Sequence, residues 1–148
     1  MTNEQIKKEL NDFEVLFLTV VGEARGEPVE GQIAVANVIM NRAKKSKKGV
    51  KDACLAHKQF SCWNTNDSNR LLLERLTDEI MKGHHNFEFY KQIQYVVGGV
   101  YEGKINDNTK KSLNYMTTKL FRSDDRPDWA KIPSTEPFEI GNHTFFTA

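Results

Sequence analysis

Two apolar segments that meet at the polar stretch GEARGEP, residues 22–28, constrain the fold of this chain more than any other feature. Upstream of it, apolar side chains recur three or four residues apart, which is helical spacing: Ile6, Leu10, Phe13, Phe17 and Val20. Thr2 and Gln5 have the pattern of a capping box at the start of this helix. Downstream, residues 28–42 carry a second helical pattern that begins at Pro28 and is apolar around most of its circumference. The sequence therefore predicts two core helices that meet at residues 22–28.

Three further helical segments follow in the sequence. Residues 50–56 predict one or two helical turns, and residues 69–82 predict an amphipathic helix. Residues 86–101 predict another, with Phe89 on its apolar face. The internal Gly98-Gly99 pair in this last helix indicates either close packing or a break.

The C-terminal part of the chain has the texture of β structure. SLNYMTT, residues 112–118, alternates as a strand does, and FEIGNHTFF, residues 138–146, predicts a strand, a turn at Gly141-Asn142 and a second strand. The total of 148 residues suits a single domain over residues 1–148. We therefore expect a mainly α (α+β) fold with a small antiparallel β element near the C-terminus.

Charge and hydropathy exclude several classes of protein. The formal net charge is only +1, so a nucleic-acid partner is not expected, and the longest apolar run, residues 15–21, is too short to span a bilayer. The first 14 residues lack the apolar core of a signal peptide, which predicts synthesis in a cytoplasm. Six cations crowd into residues 42–51, either as a solvated loop or as a surface that attracts an anionic polymer.

Three carboxylates lie where the two core helices meet, and their positions differ. Glu23 follows Val20 by three residues and sits at a helix C-terminus, so desolvation and the helix dipole both favour its protonated form. A carboxyl that keeps its proton near neutral pH can act as a general acid, although a glutamate at a helix end is more often a solvated surface group. Glu27 and Glu30 lie at the start of the second helix, where the dipole favours the ionised form. Helix-terminus electrostatics is the simpler interpretation of both.

A narrow polar strip crosses the second helix. Glu30 lies seven residues before Asn37, and Asn37 lies four before Asn41, so the three side chains share one face. Buried amides need hydrogen-bond partners, which are either a neighbouring loop or a polar ligand.

The segment QFSCWN, residues 59–64, combines aromatic and amide side chains in a polar loop. Aromatic faces stack on sugar rings and amides bond to sugar hydroxyls, but Phe60 and Trp63 are equally suited to anchoring the loop to the core. The same alternatives hold for Trp129 and Tyr115. No G-x-S-x-G motif is present, and the spacing of Cys54, His57 and Cys62 matches no closed zinc pattern. These two cysteines suit a reducing compartment, yet they are close enough in sequence to pair.

The chain resembles the SleB/CwlJ cell-wall hydrolase family, which includes spore cortex-lytic enzymes and phage lysins. The resemblance spans residues 15–146 and is carried by the segments GEARGEPVEGQIAVANVIMNR, QFSCWN, DWAKI and IGNHTFF. It implies a lysozyme-like, lytic-transglycosylase-like domain that cuts peptidoglycan between N-acetylmuramic acid and N-acetylglucosamine without a cofactor or metal. The family's catalytic glutamate corresponds to Glu23, which first protonates the leaving oxygen and then, as a base, helps to close a 1,6-anhydro ring. This mechanism needs one carboxyl group, whereas standard glycoside hydrolysis uses two.

The resemblance also suggests cleft residues. The segments at Ser61–Asn64, Tyr115 and Gly141–His143 correspond to family segments, while residues 103–118 depart from the family pattern. His143 is equally well explained as a structural residue. The predicted substrate-binding set is Glu30, Gln59, Phe60, Ser61, Trp63, Asn64, Tyr115 and His143.

The expected setting is a monomeric phage lysin that acts on the bacterial wall after release from the cell that made it. A lone catalytic domain without an export signal suits that role, and peptidoglycan is its expected partner. Three alternatives stay open: a hydrolytic muramidase, a non-catalytic wall-binding or virion module, and a zinc-dependent amidase.

Overall fold

The computed structural model describes residues 1–57 and 59–148. Within them the chain is mostly helical and carries a small antiparallel sheet near the C-terminus, which confirms the predicted class. The helices are α1 (Asn3–Glu9), α2 (Asp12–Ala24), α3 (Val29–Ser46), α4 (Val50–Leu55), α5 (Arg70–Met81), α6 (Lys91–Tyr101) and α7 (Thr118–Phe121). The strands are β1 (Asn114–Thr117), β2 (Phe138–Ile140) and β3 (His143–Phe146).

The N-terminal apolar pattern covers two helices rather than one continuous helix. Thr2 and Gln5 form the predicted capping box at the start of α1. The helix then stops at Leu10, whose backbone is extended. Asn11 and Glu14 form a second capping box, with Glu14 N–H donating to Asn11 Oδ1 at 2.8 Å and Asn11 N–H donating to Glu14 Oε1 at 2.9 Å. This reciprocal cap gives the backbone a local alternative to a continued helix, so α2 starts afresh.

The core is built around α2 and α3. Residues 15–22 of α2 are buried on all sides, and α2 contacts α3, α4, α5 and α6. Helix α3 begins after Pro28 and continues beyond the predicted end to Ser46, where Lys47 adopts a left-handed conformation with φ of 61°. Within the described residues, no helix combines the length and the apolar character needed to cross a bilayer.

Helix α6 begins later than predicted. Residues 88–90 form a short 3₁₀ turn, and the Phe89 side chain is 97% exposed, so its predicted place on the apolar face is wrong. The glycine pair marks close packing rather than a break. A Cβ atom on Gly99 would lie 2.5 Å from Ile105 Cδ1, so only glycine lets the chain after α6 fold back so closely.

The sheet has the order β1-β3-β2, with antiparallel pairing throughout. Tyr115 pairs with Phe145, and His143 lies two residues before Phe145, so all three side chains point to one face. Phe145 packs on Ala34 and Val38 of α3. This contact attaches the sheet to the core and turns Tyr115 and His143 toward the junction of α2 and α3.

Candidate active site

Glu23 lies in the last turn of α2, beside the loop formed by residues 59–64. Gly22 makes this approach possible, because a Cβ atom there would lie 2.6 Å from Cys62 Cβ. The loop therefore packs directly on the helix, and the Cys62 backbone N–H donates to Glu23 Oε2 at 3.3 Å. A glycine one residue before the carboxylate thus positions a hydrogen-bond donor for it.

The second oxygen of Glu23 is held by the sheet. The Tyr115 hydroxyl donates to Glu23 Oε1 at 2.7 Å. Burial and the adjacent Glu23 carboxylate raise the pKa of Tyr115, so the phenol keeps its proton and remains a donor. Burial and Glu23 likewise raise the pKa of the Cys62 thiol. The half-buried Glu23 carboxyl group is therefore oriented through both oxygens by groups that stay neutral.

Arg42 joins α3, the 59–64 loop and the segment before β1. Its Nε donates to the Leu113 carbonyl at 2.6 Å, Nη1 donates to Gln59 Oε1 at 3.0 Å, and the guanidinium lies 5.1 Å from the centre of the Phe60 ring. Burial lowers the pKa of Arg42, and the nearby Tyr115 and Glu23 side chains oppose that shift. Sequence analysis grouped Arg42 with the lysines and missed this role. Arg42 lies three residues after Ile39, on the apolar side of α3, and this position could have indicated that its side chain is partly buried.

Glu27 ties the helix junction to the turn between β2 and β3. Its Oε1 accepts from the Asn142 N–H at 2.9 Å and lies 3.2 Å from His143 Nδ1, and its Oε2 accepts from Asn142 Nδ2 at 2.9 Å. Burial acts to raise the pKa of Glu27, but the Asn142 hydrogen bonds and the His143 ring together lower it. The turn closes on Glu27 at Gly141, where φ is 58° and a Cβ atom would lie 2.7 Å from Glu27 Oε1.

The interpretation of Glu27 as helix-terminus electrostatics was therefore incomplete. His143 meets the Tyr115 ring edge-on, with ring centres 5.0 Å apart. The contacts run without a gap from Glu27 through His143 and Tyr115 to Glu23. Glu27 is thus a positioning residue for the site.

Two predicted sugar-stacking residues are instead part of the core. Trp63 is 2% exposed, its Nε1 donates to Thr19 Oγ1 at 2.8 Å, and it anchors the loop to α2. Phe60 is 3% exposed and lies between Arg42 and Tyr115. Neither ring has a free face, which favours the anchoring interpretation over stacking on substrate.

The other predicted residues have different surroundings. Gln59, Ser61 and Asn64 are exposed on the loop beside Glu23. Glu30 is also exposed, on the first turn of α3, and its backbone carbonyl accepts from Asn108. Its role in substrate binding stays a prediction.

The polar strip of α3 forms hydrogen bonds with a neighbouring loop. Asn41 Nδ2 donates to Asp107 Oδ2 at 3.0 Å and to the Ser112 carbonyl at 3.1 Å. Asn37 donates to the Ile33 carbonyl one turn earlier. The loop interpretation of the strip is therefore confirmed for Asn41.

The cysteines and histidines show no arrangement typical of a metal centre. Cys54 and Cys62 are buried free thiols, and burial raises the pKa of Cys54 to about 12. No three of the described His, Cys, Asp and Glu side chains group into a metal site.

Comparison with known proteins agrees with this geometry. The family model described as "Cell Wall Hydrolase" matches residues 26–146, which include Glu27, the 59–64 loop, Tyr115 and His143. The chain belongs to the cell wall hydrolase family. This confirms the resemblance seen in the sequence.

Two curated proteins match this chain over a short segment. The spore cortex-lytic enzymes of Oceanobacillus iheyensis and Bacillus subtilis are each 62% identical over 32 residues, which is 22% of this chain. That segment spans 12% and 10% of the two relatives, respectively.

Two solved structures of the family share the fold. The catalytic domain of the germination-specific lytic transglycosylase SleB from Bacillus anthracis is 22% identical, with a TM-score of 0.59 over 92% of this chain and 93% of that one. The catalytic domain of SleB from Bacillus cereus is also 22% identical, with a TM-score of 0.61 over 92% and 89%. The fold is therefore that of SleB catalytic domains, as predicted.

Proposed function

We propose that this protein cleaves the glycan strand of peptidoglycan between N-acetylmuramic acid and N-acetylglucosamine as a lytic transglycosylase, with Glu23 as its general acid and base. Membership of the cell wall hydrolase family supports an enzyme that acts on peptidoglycan. The observation that carries the finer proposal is the fixed Glu23 carboxyl group, which is half-buried and bonded through both oxygens.

The reaction needs one group that gives and then takes a proton. Protonated Glu23 donates its proton to the glycosidic oxygen, and the bond from C1 of the muramoyl residue to that oxygen breaks with its electron pair on the leaving sugar. The resulting carboxylate then accepts the proton of the muramoyl 6-hydroxyl, whose oxygen forms the new bond to C1. The product is a 1,6-anhydro ring, and no water is consumed.

The residues around Glu23 suit these two proton transfers. Tyr115 and Cys62 hold the carboxyl in one orientation, so it needs no rearrangement between the two proton transfers. The contacts from Glu27 to Glu23 pass through the His143 and Tyr115 side chains, which lie between the two carboxyl groups. Glu27 is therefore poorly placed to act as the second carboxylate of a two-acid hydrolase.

Exposed polar side chains beside Glu23 supply groups for sugar binding. Gln59, Ser61 and Asn64 offer amides and a hydroxyl from the loop next to Glu23. Amides and hydroxyls both donate and accept, which suits N-acetyl groups and sugar hydroxyls. We propose these three as substrate-binding residues.

The test compares Glu23→Gln with Glu9→Gln, an exposed glutamate on α1 that serves as the matched control. Loss of the acid should lower the rate of release of soluble fragments from purified peptidoglycan by roughly a hundredfold or more. Glu9→Gln should retain the wild-type rate. A Glu23→Gln protein within about tenfold of wild type contradicts the assignment.

Mass spectrometry of the fragments identifies the reaction. Anhydro ends are lighter by one water than reducing ends, so reducing ends alone would make the enzyme a hydrolytic muramidase. Binding to peptidoglycan with no soluble product from the wild type would make the protein a non-catalytic wall-binding module.

We further propose a phage lysin that acts on the wall of a growing bacterium. Release of fragments from vegetative peptidoglycan, compared with decoated spores, tests this setting. Activity confined to spore cortex contradicts it.

A further inference from the structure

A cavity of about 330 Å³ opens next to the Glu23 site and shares a wall with it. Arg42 and Gln59, which are bonded to each other, form the shared wall. On the side facing Glu23, the Arg42 guanidinium covers Phe60, and the Phe60 and Tyr115 rings have centres 6.5 Å apart. The contacts between this cavity and the carboxyl group run from Arg42 through the Phe60 and Tyr115 rings to Glu23.

The cavity is strongly cationic. Arg42, Lys45 and Lys48 line it, with Asp52 as the one lining carboxylate among the described residues. The Asp52 carboxylate is ion-paired with Lys7, which removes most of its influence on a ligand. Lys45 and Lys48 are exposed, and neither has an ion-pair partner within residues 1–57 and 59–148. The free positive charge therefore faces the opening.

The remaining lining consists of the Ser46 side chain and three apolar side chains. Ala53, Ala56 and Leu113 contribute methyl groups. A ligand that fits combines negative charge with small apolar groups. A purely phosphate-based polymer offers the charge without the apolar groups.

We propose that this cavity binds the stem peptide carried by the muramoyl residue, a short peptide of alanines and carboxylate-bearing residues. The inference rests on the proposed function, because the stem peptide is attached to the sugar that Glu23 would attack. The stem carboxylates pair with Lys45 and Lys48, and an alanine methyl packs on Ala53, Ala56 and Leu113. The cavity would thus make the enzyme prefer glycan strands that retain their peptides.

The test uses two double variants with the same change in charge. Lys45→Gln/Lys48→Gln removes the two cavity lysines. Lys44→Gln/Lys47→Gln removes two exposed lysines from the same end of α3 that do not line the cavity. Each protein is assayed on intact peptidoglycan and on glycan strands from which an amidase has removed the peptides.

We expect the cavity variant to raise KM at least fivefold on intact peptidoglycan, with kcat within twofold of wild type. On peptide-free strands it should equal the wild type. For the control variant, KM should rise by at most twofold on both substrates. If KM rises equally on both substrates, or equally for both variants, the proposal is overturned and the lysines act by general attraction to an anionic wall polymer.

A binding measurement separates this inference from the catalytic proposal. Titration calorimetry with the Glu23→Gln protein compares a disaccharide that carries a tripeptide with the same disaccharide without it. The peptide should tighten binding at least fivefold, and Lys45→Gln/Lys48→Gln should abolish that gain. If the gain is absent while the wild type cleaves glycan, the subsite proposal fails alone. If the wild type cleaves no substrate, the proposed function fails instead.

Discussion

The hydroxyl of Tyr115 and the backbone N–H of Cys62 reach Glu23 from different parts of the chain. One donor comes from β1 and the other from the loop that packs on α2. A side-chain donor on a rigid strand fixes the direction of the carboxyl group, whereas a long backbone contact adds less. At the scale of single residues, Tyr115 is therefore the main orienting group of the site.

Replacement of Tyr115 by phenylalanine tests this assignment. The ring contacts with Phe60 and His143 remain, and only the hydrogen bond to Glu23 is lost. A hydrogen bond contributes up to about 1.5 kcal/mol, so we expect loss of this orienting contact to lower kcat on peptidoglycan by up to roughly tenfold. KM should change less than twofold.

The matched control is Tyr95→Phe, because the Tyr95 side chain is 79% exposed. It should keep full activity. A Tyr115→Phe protein with wild-type kcat would mean that the Glu23 carboxyl group is oriented by other contacts.

Sequence predicted only those site residues whose chemistry shows locally. The position of Glu23 at a helix end beside apolar residues gave it only a weak preference, and the resemblance singled it out together with Tyr115 and His143. For Phe60 and Trp63 the sequence left stacking and anchoring open, since an aromatic residue in a polar loop has the same local pattern whether it is exposed or buried. The partners of Glu23 and Glu27 lie 92 and 115 residues away, a separation that no periodicity reports.

At the scale of elements, the close packing of the 59–64 loop on α2 depends on Gly22. The Cys62 side chain occupies the space that a Cβ atom would need. Helix propensity alone favours alanine over glycine by about 1 kcal/mol, so a glycine here is a packing requirement rather than a helix breaker. Helix α2 continues past Gly22 to Ala24.

Gly22→Ala should therefore lower both stability and activity. Overpacking costs about 1–3 kcal/mol, which exceeds the gain in helix propensity, and the displaced loop would withdraw the Cys62 N–H from Glu23. Urea denaturation should show a lower midpoint, and kcat should fall.

Gly26→Ala is the matched control, because nothing lies within 4 Å of a Cβ atom at that position. It should match the wild type in both measurements. If Gly22→Ala unfolds at the wild-type urea concentration, the close packing seen here does not limit stability.

The remaining differences between predicted and observed elements come from local caps. Helical spacing is continuous from Ile6 to Val20, yet the Asn11–Glu14 cap divides it. The start of α6 was placed too early because Phe89 fits the period but faces solvent. Periodicity identifies which segments are helical, whereas the choice between a cap and a further helical turn depends on side-chain hydrogen bonds that compete locally.

At the scale of the whole molecule, Glu27 connects the α2–α3 junction with the C-terminal hairpin. Its side chain is only 10% exposed, and three donors from Asn142 and His143 converge on it. Helix α3 and the sheet are already joined through Phe145. The Glu27 contacts add a charged link on the side of the hairpin that faces the site, so they couple the stability of the fold to the ionisation of this carboxylate.

Glu27→Gln should make stability depend less on pH in the acidic range. The folded protein lowers the pKa of Glu27 below its ordinary value of 4.5, so its contribution is fully present above that pH and is lost as the pH falls through the folded pKa. At pH 7 the variant should be less stable by about 2 kcal/mol, because its amide N–H₂ replaces one of the two oxygens that accept from Asn142 and cannot accept that hydrogen bond. The difference in stability between the wild type and the variant should decrease steadily below pH 4.5. Thermal unfolding from pH 7 to pH 3 measures it, with Glu30→Gln as the exposed control that should follow the wild type throughout. A gap that stays constant over this range would mean that the carboxylate stabilises the hairpin by shape rather than by charge.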